Sequence, residues 1–395
     1  MKSNRFSRLF LLTVSGFAIV NGLPYFRSAA YAGLIGNLDN ASLYVNFGSS
    51  NNFPWVGGFF PLNIDKATKA ITTSKNELSR CTITVIDRPE KNAIWALTAA
   101  HCVYGRDDKS KKIKSYNSGV VYFGEGNKLD QNKYLLVADT IIKREYIKSV
   151  NEGKKISHDQ IPVDIALVKL VPDPTQPYPT WLSDAIKSKP RPKLPSTRLP
   201  SGIYTGNFVG IGDQGSGASG NAGFSIYSPN YLGGKNAVQV LNNFLSYDFD
   251  SKLNPKTNFD GNSALDLEYN PTNGDSGSPI FIDNILAGVH SRSQGGSYVC
   301  GNELCRFNRG FYGTIGYALR TDQYISWINK TITGSKFTDA VSLKIAKGGK
   351  FNLKPVDKSK SPDLREEANT FSIEIPNGST FYIFTPSEDK PDTPS

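Results

Sequence analysis

Short apolar runs alternate with polar turns through the middle of this 395-residue chain. Many of the residues in these runs are β-branched or aromatic, and the runs lie at 81–86, 93–98, 120–123, 134–138 and 165–170. Runs of this length between turns are typical of strands in a barrel or a sandwich. The 36 glycines and 23 prolines follow no period and agree with short strands joined by many turns. The pattern therefore predicts an all-β fold.

A basic, proline-rich stretch at residues 187–200 interrupts the strand pattern. Its four prolines and five basic residues exclude a buried strand or a regular helix. We therefore expect an exposed linker between two β lobes. The second strand-rich region runs from residue 203 to about 319, and its Gly/Ser-rich segment 215–223 is predicted to be a mobile surface loop.

An apolar stripe marks the end of the second lobe. Ile325, Ile328 and Ile332 recur at i, i+3 and i+7, which predicts one short closing helix. Residues 334–395 then form a small C-terminal extension of unknown role. Its two β-rich runs lie at 371–375 and 381–384.

The N-terminal residues 1–32 have the features of a signal peptide. A basic start precedes an apolar run, and Ala30 and Ala32 occupy the small-residue positions that a signal peptidase reads. An uncleaved membrane anchor is the alternative, but the apolar run is broken and is short for a span of about 20 residues. The sequence predicts cleavage after Ala32, and a secreted or periplasmic protein without stable membrane insertion. Residues 33–54 are polar and are predicted to be an irregular N-terminal arm.

The charge balance points to no special partner. The net charge is +10, and removal of the signal peptide, with four basic residues and no acidic one, lowers it to +6. This moderate excess is not concentrated in one aromatic-rich patch, so no nucleic-acid partner is predicted. No cofactor is predicted, and the chain is expected to be a monomer.

An even number of cysteines in an exported chain favours disulfides. The four residues are Cys81, Cys102, Cys300 and Cys305, which allow three pairings. A zinc site is the alternative, but their spacings lack the two close pairs of a zinc ribbon, and the chain has only three histidines. No metal is therefore predicted.

A serine between glycines is the first candidate for chemistry. Ser276 lies in the segment Gly-Asp-Ser-Gly-Ser-Pro at residues 274–279. A serine hydroxyl is a weak nucleophile, which needs a base for its proton and donors for the oxyanion that forms. Flanking glycines permit a tight turn, in which the N–H groups of Gly274 and Ser276 are the expected oxyanion hole. Taken alone, the segment could equally be a polar surface loop.

A distant histidine and aspartate could activate this serine. His101 lies in the segment Leu-Thr-Ala-Ala-His-Cys at residues 97–102, and Asp164 opens an apolar run. As the base, His101 would take the proton of Ser276, and Asp164 would hold the Nδ1–H of His101. A structural histidine and a turn aspartate are the alternatives for each residue by itself.

Together, the three segments resemble the chymotrypsin/trypsin family of serine peptidases, and most of all its bacterial secreted members. The chain order His, Asp, Ser is that of the family and differs from that of subtilisins and α/β-hydrolases. The histidine and serine segments are similar to the family signatures, with Ser278 where glycine is commonest. The gaps between the three are longer than usual, so inserted loops are expected around 104–118 and 213–223.

The resemblance covers about residues 55–333. It implies two antiparallel six-stranded β-barrels, with barrel 1 over about 55–186 and barrel 2 and the closing helix over 201–333. The catalytic residues that it implies, in the cleft between the barrels, are His101, Asp164 and Ser276.

The resemblance also implies a disulfide between Cys81 and Cys102, which would tie the segment of His101 to the neighbouring strand. Cys300 and Cys305 would then pair as a small surface clip.

The primary specificity pocket departs from the family pattern. The residue six before the nucleophile, which forms the pocket base in trypsin-like members, is Asn270 and lacks the charge that selects Arg or Lys. The segment 288–293, which normally pairs with the substrate backbone, contains His290 and Arg292. Arg292 could favour an acidic substrate side chain.

The activation step is a second departure. Residues 55–58, Trp-Val-Gly-Gly, resemble the start of an activated family member, whose new amine pairs with the aspartate beside the nucleophile, here Asp275. Pro54 precedes this segment instead of Arg or Lys. We therefore expect no such cut and another partner for Asp275.

The sequence thus predicts a secreted serine endopeptidase that cleaves protein or peptide substrates through an acyl-enzyme intermediate. One alternative is a non-catalytic binding or adhesion module on the same barrels. Another is a surface protein whose functional part is the extension 334–395. Esterase-type hydrolysis with the same residues is a third, which differs in substrate alone.

Overall fold

The structure is a computed structural model, and the residues it describes are 33–36, 41–62, 80–86, 94–106, 113–116, 118–154, 163–173, 178–217, 220–221, 231–252, 264–295, 297–300, 303–306, 311–334, 341–344, 351–352, 372–373 and 380–383. The predicted signal peptide, residues 1–32, lies outside them. The chain divides into two compact units, Met1–Ile325 and Ser326–Ser395.

Nine strands of the described part of the chain precede the linker, and most of them belong to the first barrel. They are β1 (Gly33–Ile35), β2 (Val56–Leu62), β3 (Cys81–Val85), β4 (Ile94–Thr98), β5 (Tyr104–Arg106), β6 (Ile113–Ser115), β7 (Ser118–Glu125), β8 (Lys128–Ile142) and β9 (Ala166–Val171). Six of them close into a barrel in the order β2-β3-β4-β9-β8-β7. Residues of β7 alternate between buried and half-buried, because successive side chains of a strand point to opposite faces. The buried set, which includes Phe59, Ile83 and Val121, forms the barrel core.

The strands after the linker build the second barrel. They are β10 (Gly202–Gly210), β11 (Gln214–Ser216), β12 (Gly220–Asn221), β13 (Leu232–Val240), β14 (Phe244–Asp248), β15 (Tyr269–Asn270), β16 (Pro279–Ile282), β17 (Ile285–Gln294), β18 (Ser297–Cys300), β19 (Glu303–Arg306) and β20 (Ile315–Arg320). Six of these close in the order β10-β13-β14-β20-β17-β16 around a core that includes Phe208, Leu245 and Ile280. Two closed six-stranded antiparallel barrels confirm the predicted fold class, and they are the arrangement of the chymotrypsin-like fold.

The described helices are short. They are α1 (Ala41–Gly48), α2 (Arg144–Asn151), α3 (Thr180–Ser188) and α4 (Ile325–Gly334), with single 3₁₀ turns at Ala100–Cys102 and Thr321–Gln323. The helix predicted from the isoleucine stripe is α4, in which Ile328 and Ile332 are buried. In the part of the chain that the structure describes, no helix has both the length and the apolar character to cross a membrane.

The second unit holds two short strand pairs. Its strands are β21 (Val341–Lys344), β22 (Phe351–Asn352), β23 (Ser372–Ile373) and β24 (Thr380–Ile383), and they pair as β21-β24 and β22-β23. The two β-rich runs predicted in the extension therefore both contain a strand.

The N-terminal arm is not irregular, as the sequence predicts, but ordered against barrel 2. Strand β1 pairs in parallel with β11 and antiparallel with β15, and α1 places Tyr44 in the barrel core. The predicted mobile loop 215–223 is corrected over residues 215–217, which are buried beside β1, whereas 218–219 and 222–223 lie outside the described residues. Backbone hydrogen bonds such as Gly217 N–H to Ile35 O, at 3.1 Å, hold these segments together.

The linker 187–200 is mostly exposed, but it is attached to barrel 2. The carbonyl oxygen of Lys193 accepts the N–H of Leu286 at 2.9 Å, and Leu194 is buried. Further along, Asp322 accepts the N–H of Leu199 at 2.6 Å. These bonds fix the path of residues 189–200. The predicted linker begins two residues too early, because α3 continues to Ser188.

The buried carboxyl group of Glu268, immediately before β15, is expected to make stability depend on pH. Glu268 is 3% exposed, and its Oε2 accepts the N–H of Leu265 at 2.7 Å. Burial, which outweighs that hydrogen bond, and the charge of Asp250 raise the pKa of Glu268 to about 9. Because the folded-state pKa is above the unfolded one, this group favours the fold at low pH and opposes it as the pH rises from about 4.5 to 9.

Glu268→Gln keeps the shape and the acceptor for Leu265 but removes the charge. At pH 8 we expect the variant to unfold with a free energy higher than that of the wild type, by on the order of 2 kcal/mol, and at pH 5 the difference should nearly vanish. Urea unfolding at both pH values measures this, with Glu125→Gln on the exposed end of β7 as the control. A gain of equal size at both pH values would contradict the assignment.

Candidate active site

His101 lies in a one-turn helix that follows β4 directly. The 3₁₀ turn Ala100–Cys102 carries it, and a disulfide of 2.08 Å joins Cys102 to Cys81 at the start of β3. The predicted Cys81–Cys102 disulfide is therefore present. The side chains of the other predicted pair, Cys300 and Cys305, lie outside the described part of the structure.

A buried carboxylate holds the ring of His101. Asp164, fully buried immediately before β9, has its Oδ2 2.9 Å from Nδ1 of His101. Its Oδ1 accepts the backbone N–H of His101, also at 2.9 Å. Burial by itself would raise the pKa of Asp164, but the charge and hydrogen bonds of His101 and the hydroxyl of Ser291 hold it below its ordinary value. An ionised Asp164 assigns the proton to Nδ1 and leaves Nε2 as the basic nitrogen.

Ser291 is a site residue that the sequence prediction missed. Its hydroxyl donates to Oδ2 of Asp164 at 2.5 Å. The register between β17 and β20 shifts between His290 and Arg292, so Ser291 is the extra residue of a bulge. A bulge re-aims one side chain out of the regular alternation. The sequence does show a serine in the segment 288–293. The direction of its side chain depends on the bulge, which the sequence pattern does not reveal.

Ser276 lies in a tight turn that is held against the segment of His101. Gly274 and Gly277 on either side have φ of +89° and +85°, which favour glycine. The carbonyl oxygen of Ser276 accepts the N–H of Thr82 at 2.8 Å, and the sulfur of Cys102 lies 3.7 Å from the same oxygen. The turn of the candidate nucleophile therefore adjoins the turn of the candidate base.

The amides of this turn divide into two groups. The N–H groups of Asp275, Gly277 and Ser278 donate to the carbonyl oxygens of Thr272, His290 and Asp275. Among the described residues, the N–H groups of Gly274 and Ser276 donate to no protein acceptor. These are the two amides predicted to form the oxyanion hole.

The carboxyl group of Asp275 fixes the same turn through hydrogen bonds. Its Oδ1 accepts the N–H of Gly212 at 2.6 Å, and its Oδ2 accepts the N–H of Thr272 at 2.8 Å and the hydroxyl of Tyr269 at 3.3 Å. Burial, opposed by the two amide bonds and by the charge of Arg80, raises the pKa of Asp275 to about 6. Asp275 thus has partners within the intact chain.

Two further residues, Arg80 and Trp55, bear on the predicted activation step. Arg80 forms an ion pair with Asp213 at 3.4 Å, and its guanidinium lies against Gly274. Trp55 is 2% exposed, its carbonyl oxygen accepts the N–H of Val85, and its indole N–H donates to Lys189. Trp55 is therefore built into barrel 1, and the absence of a cut before it stays a prediction.

Asn270 is the first of the three predicted pocket residues. It ends β15, is fully buried, and donates its side-chain amide to the carbonyl oxygen of Thr314 at 3.0 Å. The hydroxyl of Ser293 donates to Oδ1 of Asn270 at 3.4 Å and to the carbonyl oxygen of Pro271 at 3.2 Å. Ser293 thereby joins β17 to the segment that leads into the nucleophile turn.

His290 and Arg292, the other two predicted pocket residues, lie on β17. Two backbone bonds of 2.8 Å, Gly277 N–H to His290 O and His290 N–H to Ser278 O, pair this strand with the nucleophile turn. The guanidinium carbon of Arg292 lies 5.7 Å from the ring centroid of Tyr317. The structure therefore brings all three predicted pocket residues into segments that border Ser276.

One group of potential metal ligands adjoins the site. Ligand atoms of Cys81, His101 and Cys102 lie within 4.8 Å of one another. The two sulfurs are bonded to each other as a disulfide, so neither is the thiolate that a metal would need.

The comparisons with known proteins bear on the fold alone. No family model matches the chain, and no curated protein matches it. A solved structure described as "HL collagenase structure at 1.7A resolution" is 19% identical, covers 73% of this chain and 97% of its own, and has a TM-score of 0.42. The fold assignment rests on the two closed barrels and not on this likeness.

The close approach at Gly277 gives a test of the nucleophile turn. A Cβ there would lie 2.2 Å from both the carbonyl oxygen of Thr82 and Oγ1 of Thr98. Gly277→Ala is therefore expected to lower the free energy of unfolding by about 3 kcal/mol or more, through overlap with the backbone and strain.

The matched control is Gly126→Ala. Gly126 also has positive φ, +60°, but nothing lies within 4 Å of its would-be Cβ. Its alanine variant should lose only the backbone preference, about 1 kcal/mol. Chemical denaturation of both variants compares the two losses, and equal losses would show that the turn does not pack as closely as described.

Proposed function

We propose that this chain is a serine endopeptidase in which His101, Asp164 and Ser276 are the catalytic residues. The observation that carries the proposal is the His101–Asp164 pair, at 2.9 Å with the carboxylate fully buried, next to a glycine-flanked serine turn. A histidine or an aspartate with a purely structural role would need neither this pairing nor a place beside such a turn. The two N–H groups at Gly274 and Ser276, which have no protein acceptor among the described residues, support it further.

The proposed chemistry has two halves. In the first, Nε2 of His101 takes the proton of Ser276 while Oγ bonds to the substrate carbonyl carbon, and the amides of Gly274 and Ser276 stabilise the oxyanion. The imidazolium then gives its proton to the leaving amine, and the C–N bond breaks to leave an ester on Ser276. In the second half, water loses a proton to His101 and attacks the ester, which releases the carboxylic acid and restores the hydroxyl of Ser276.

The buried ionised state of Asp164 serves this chemistry. It holds the ring in one orientation and stabilises the imidazolium that forms at each half-reaction. Ser291 positions Asp164 and does not itself touch the substrate.

We further propose that the protein acts outside the cytoplasm. The Cys81–Cys102 disulfide supports this, because such bonds persist mainly in oxidising compartments. The signal-like N-terminal residues, which are known from sequence alone, agree with export.

A fluorophosphonate probe tests the enzyme assignment directly. The wild-type chain should be labelled on Ser276, located by peptide mass spectrometry, and should hydrolyse a casein substrate. Ser276→Ala should abolish labelling, and His101→Ala should slow both reactions by several orders of magnitude, because the hydroxyl then lacks its base.

Ser188→Ala, at the exposed end of α3, is the control for a neutral serine substitution. It should be labelled as the wild type is. Labelling that persists in Ser276→Ala, or a wild-type chain that is folded and never labelled, would favour the non-catalytic module instead.

The role of the extension is a separate test. Both barrels and the candidate site lie within the first unit, so removal of residues 335–395 should leave labelling and casein hydrolysis in place. Loss of both activities in a truncated chain with wild-type circular dichroism would assign the extension an essential part in the reaction.

A further inference from the structure

We propose that the pocket beside Ser276 selects an acidic side chain on the acyl side of the scissile bond. In this pocket His290 would donate to the carboxylate, and Arg292 would supply positive charge. The hydroxyl of Ser293 would exchange its long bonds to Asn270 and Pro271 for one to the carboxylate. The inference rests on the proposed function, since it names the substrate class of the same site.

Strand β17 runs directly beside the nucleophile turn. His290 exchanges both of its backbone hydrogen bonds with Gly277 and Ser278, and the next residue, Ser291, bonds to Asp164. The substrate residue whose carbonyl is attacked must place its side chain next to Ser276. The side chains of residues 290–293 on β17 are therefore the ones that this substrate side chain would contact.

The segment 270–273 forms the facing wall of this pocket. Ser293 bridges the two walls through its bonds to Asn270 and Pro271, at 3.4 and 3.2 Å. Asn270 is uncharged, and its amide group donates to Thr314. The base of the pocket thus offers no negative charge for an arginine or lysine side chain.

The orientation of His290 suits a hydrogen-bond donor. Its Nδ1 lies 2.5 Å from the hydroxyl of Tyr247, and both residues are buried. Burial, with the charge of Asp275, keeps the pKa of Tyr247 well above 10, so its neutral hydroxyl is available as a donor to Nδ1. A bond in that direction places the imidazole proton on Nε2, at the opposite edge of the ring, where it can be donated to a ligand.

The charges of the two walls have one sign. The segments 270–273 and 290–294 contain Arg292 and neither aspartate nor glutamate. Arg292 is half-buried beside Tyr317, where the solvent screens its field less than at an exposed site. A carboxylate in this pocket is attracted by Arg292 and an ammonium or guanidinium group is repelled by it, while the ionised Asp164, whose charge also acts on Arg292, opposes both effects.

An apolar substrate side chain fits the same walls poorly. It would offer no acceptor to the imidazole N–H of His290 and would take the half-buried guanidinium of Arg292 out of contact with solvent. A buried polar group that loses its partner disfavours the complex strongly. A neutral amide of the same shape as glutamate would keep some of the hydrogen bonds but none of the charge attraction.

The experiment compares peptide substrates that differ only in the residue before the scissile bond, namely Glu, Asp, Gln, Lys and Phe. We expect kcat/KM for Glu to exceed that for its isostere Gln by at least about tenfold, and those for Lys and Phe by about a hundredfold. The Glu–Gln comparison isolates charge, because the two side chains have the same shape.

Two variants test the residues behind the preference. Arg292→Gln and Ser293→Ala should each lower kcat/KM for the Glu substrate by about tenfold, mainly through KM, and change that for the Gln substrate much less. Arg198→Gln removes the same charge from the exposed linker and should leave the Glu–Gln ratio unchanged. The rate of fluorophosphonate labelling should be that of the wild type in Arg198→Gln, and Arg292→Gln and Ser293→Ala should still be labelled on Ser276, because the probe needs no acidic side chain.

The outcomes separate this inference from the proposed function. A chain that is labelled on Ser276 but prefers Lys or Phe, or treats Glu and Gln alike, overturns the acidic pocket and leaves the endopeptidase standing. Wild-type selectivity in both Arg292→Gln and Ser293→Ala overturns the assigned residues. A chain that is neither labelled nor active on any substrate overturns the proposed function and this inference with it.

Discussion

The site depends on one buried negative charge, the carboxylate of Asp164. A carboxylate removed from water costs several kcal/mol unless donors replace its hydration. Here the donors come from two barrels, the ring and backbone N–H of His101 from the first and the hydroxyl of Ser291 from the second. The requirement to satisfy this charge therefore fixes three distant segments against one another. The orientation of His101, and with it any base chemistry, follows from that requirement.

A second buried carboxyl group, Asp275, holds the serine turn in a comparable way. Its bonds to the amides of Gly212 and Thr272 fix the backbone on both sides of the turn. Gly277 then approaches Thr82 and Thr98 so closely that no side chain fits between them. The candidate nucleophile is thus held by its backbone while its hydroxyl stays free to react. Two buried carboxyl groups, Asp164 and Asp275, thus position the ring of His101 and the turn of Ser276.

The sequence predicted those parts of the site that are encoded in short contiguous segments. His101, Asp164, Ser276 and the Cys81–Cys102 disulfide belong to such segments, and the strand pattern predicted two β lobes. It did not predict Ser291 or the strand β1, for physical reasons. The direction of Ser291 depends on a bulge, and β1 has only three residues, too few to show an alternating pattern. The helices α1, α2 and α3 were also missed, since each is only about two turns long.

On the proposed function, the bulge in β17 lets one strand serve both catalysis and recognition. In a regular strand, residues 290 and 292 would face one way and 291 and 293 the other. The register shift between His290 and Arg292 accompanies the turn of Ser291 toward Asp164, while the backbone of His290 stays bonded to the serine turn. Of these four side chains, that of Ser291 bonds to the carboxylate on which the proposed base depends. A change of charge at His290, Arg292 or Ser293 would therefore remove no hydrogen bond from that carboxylate.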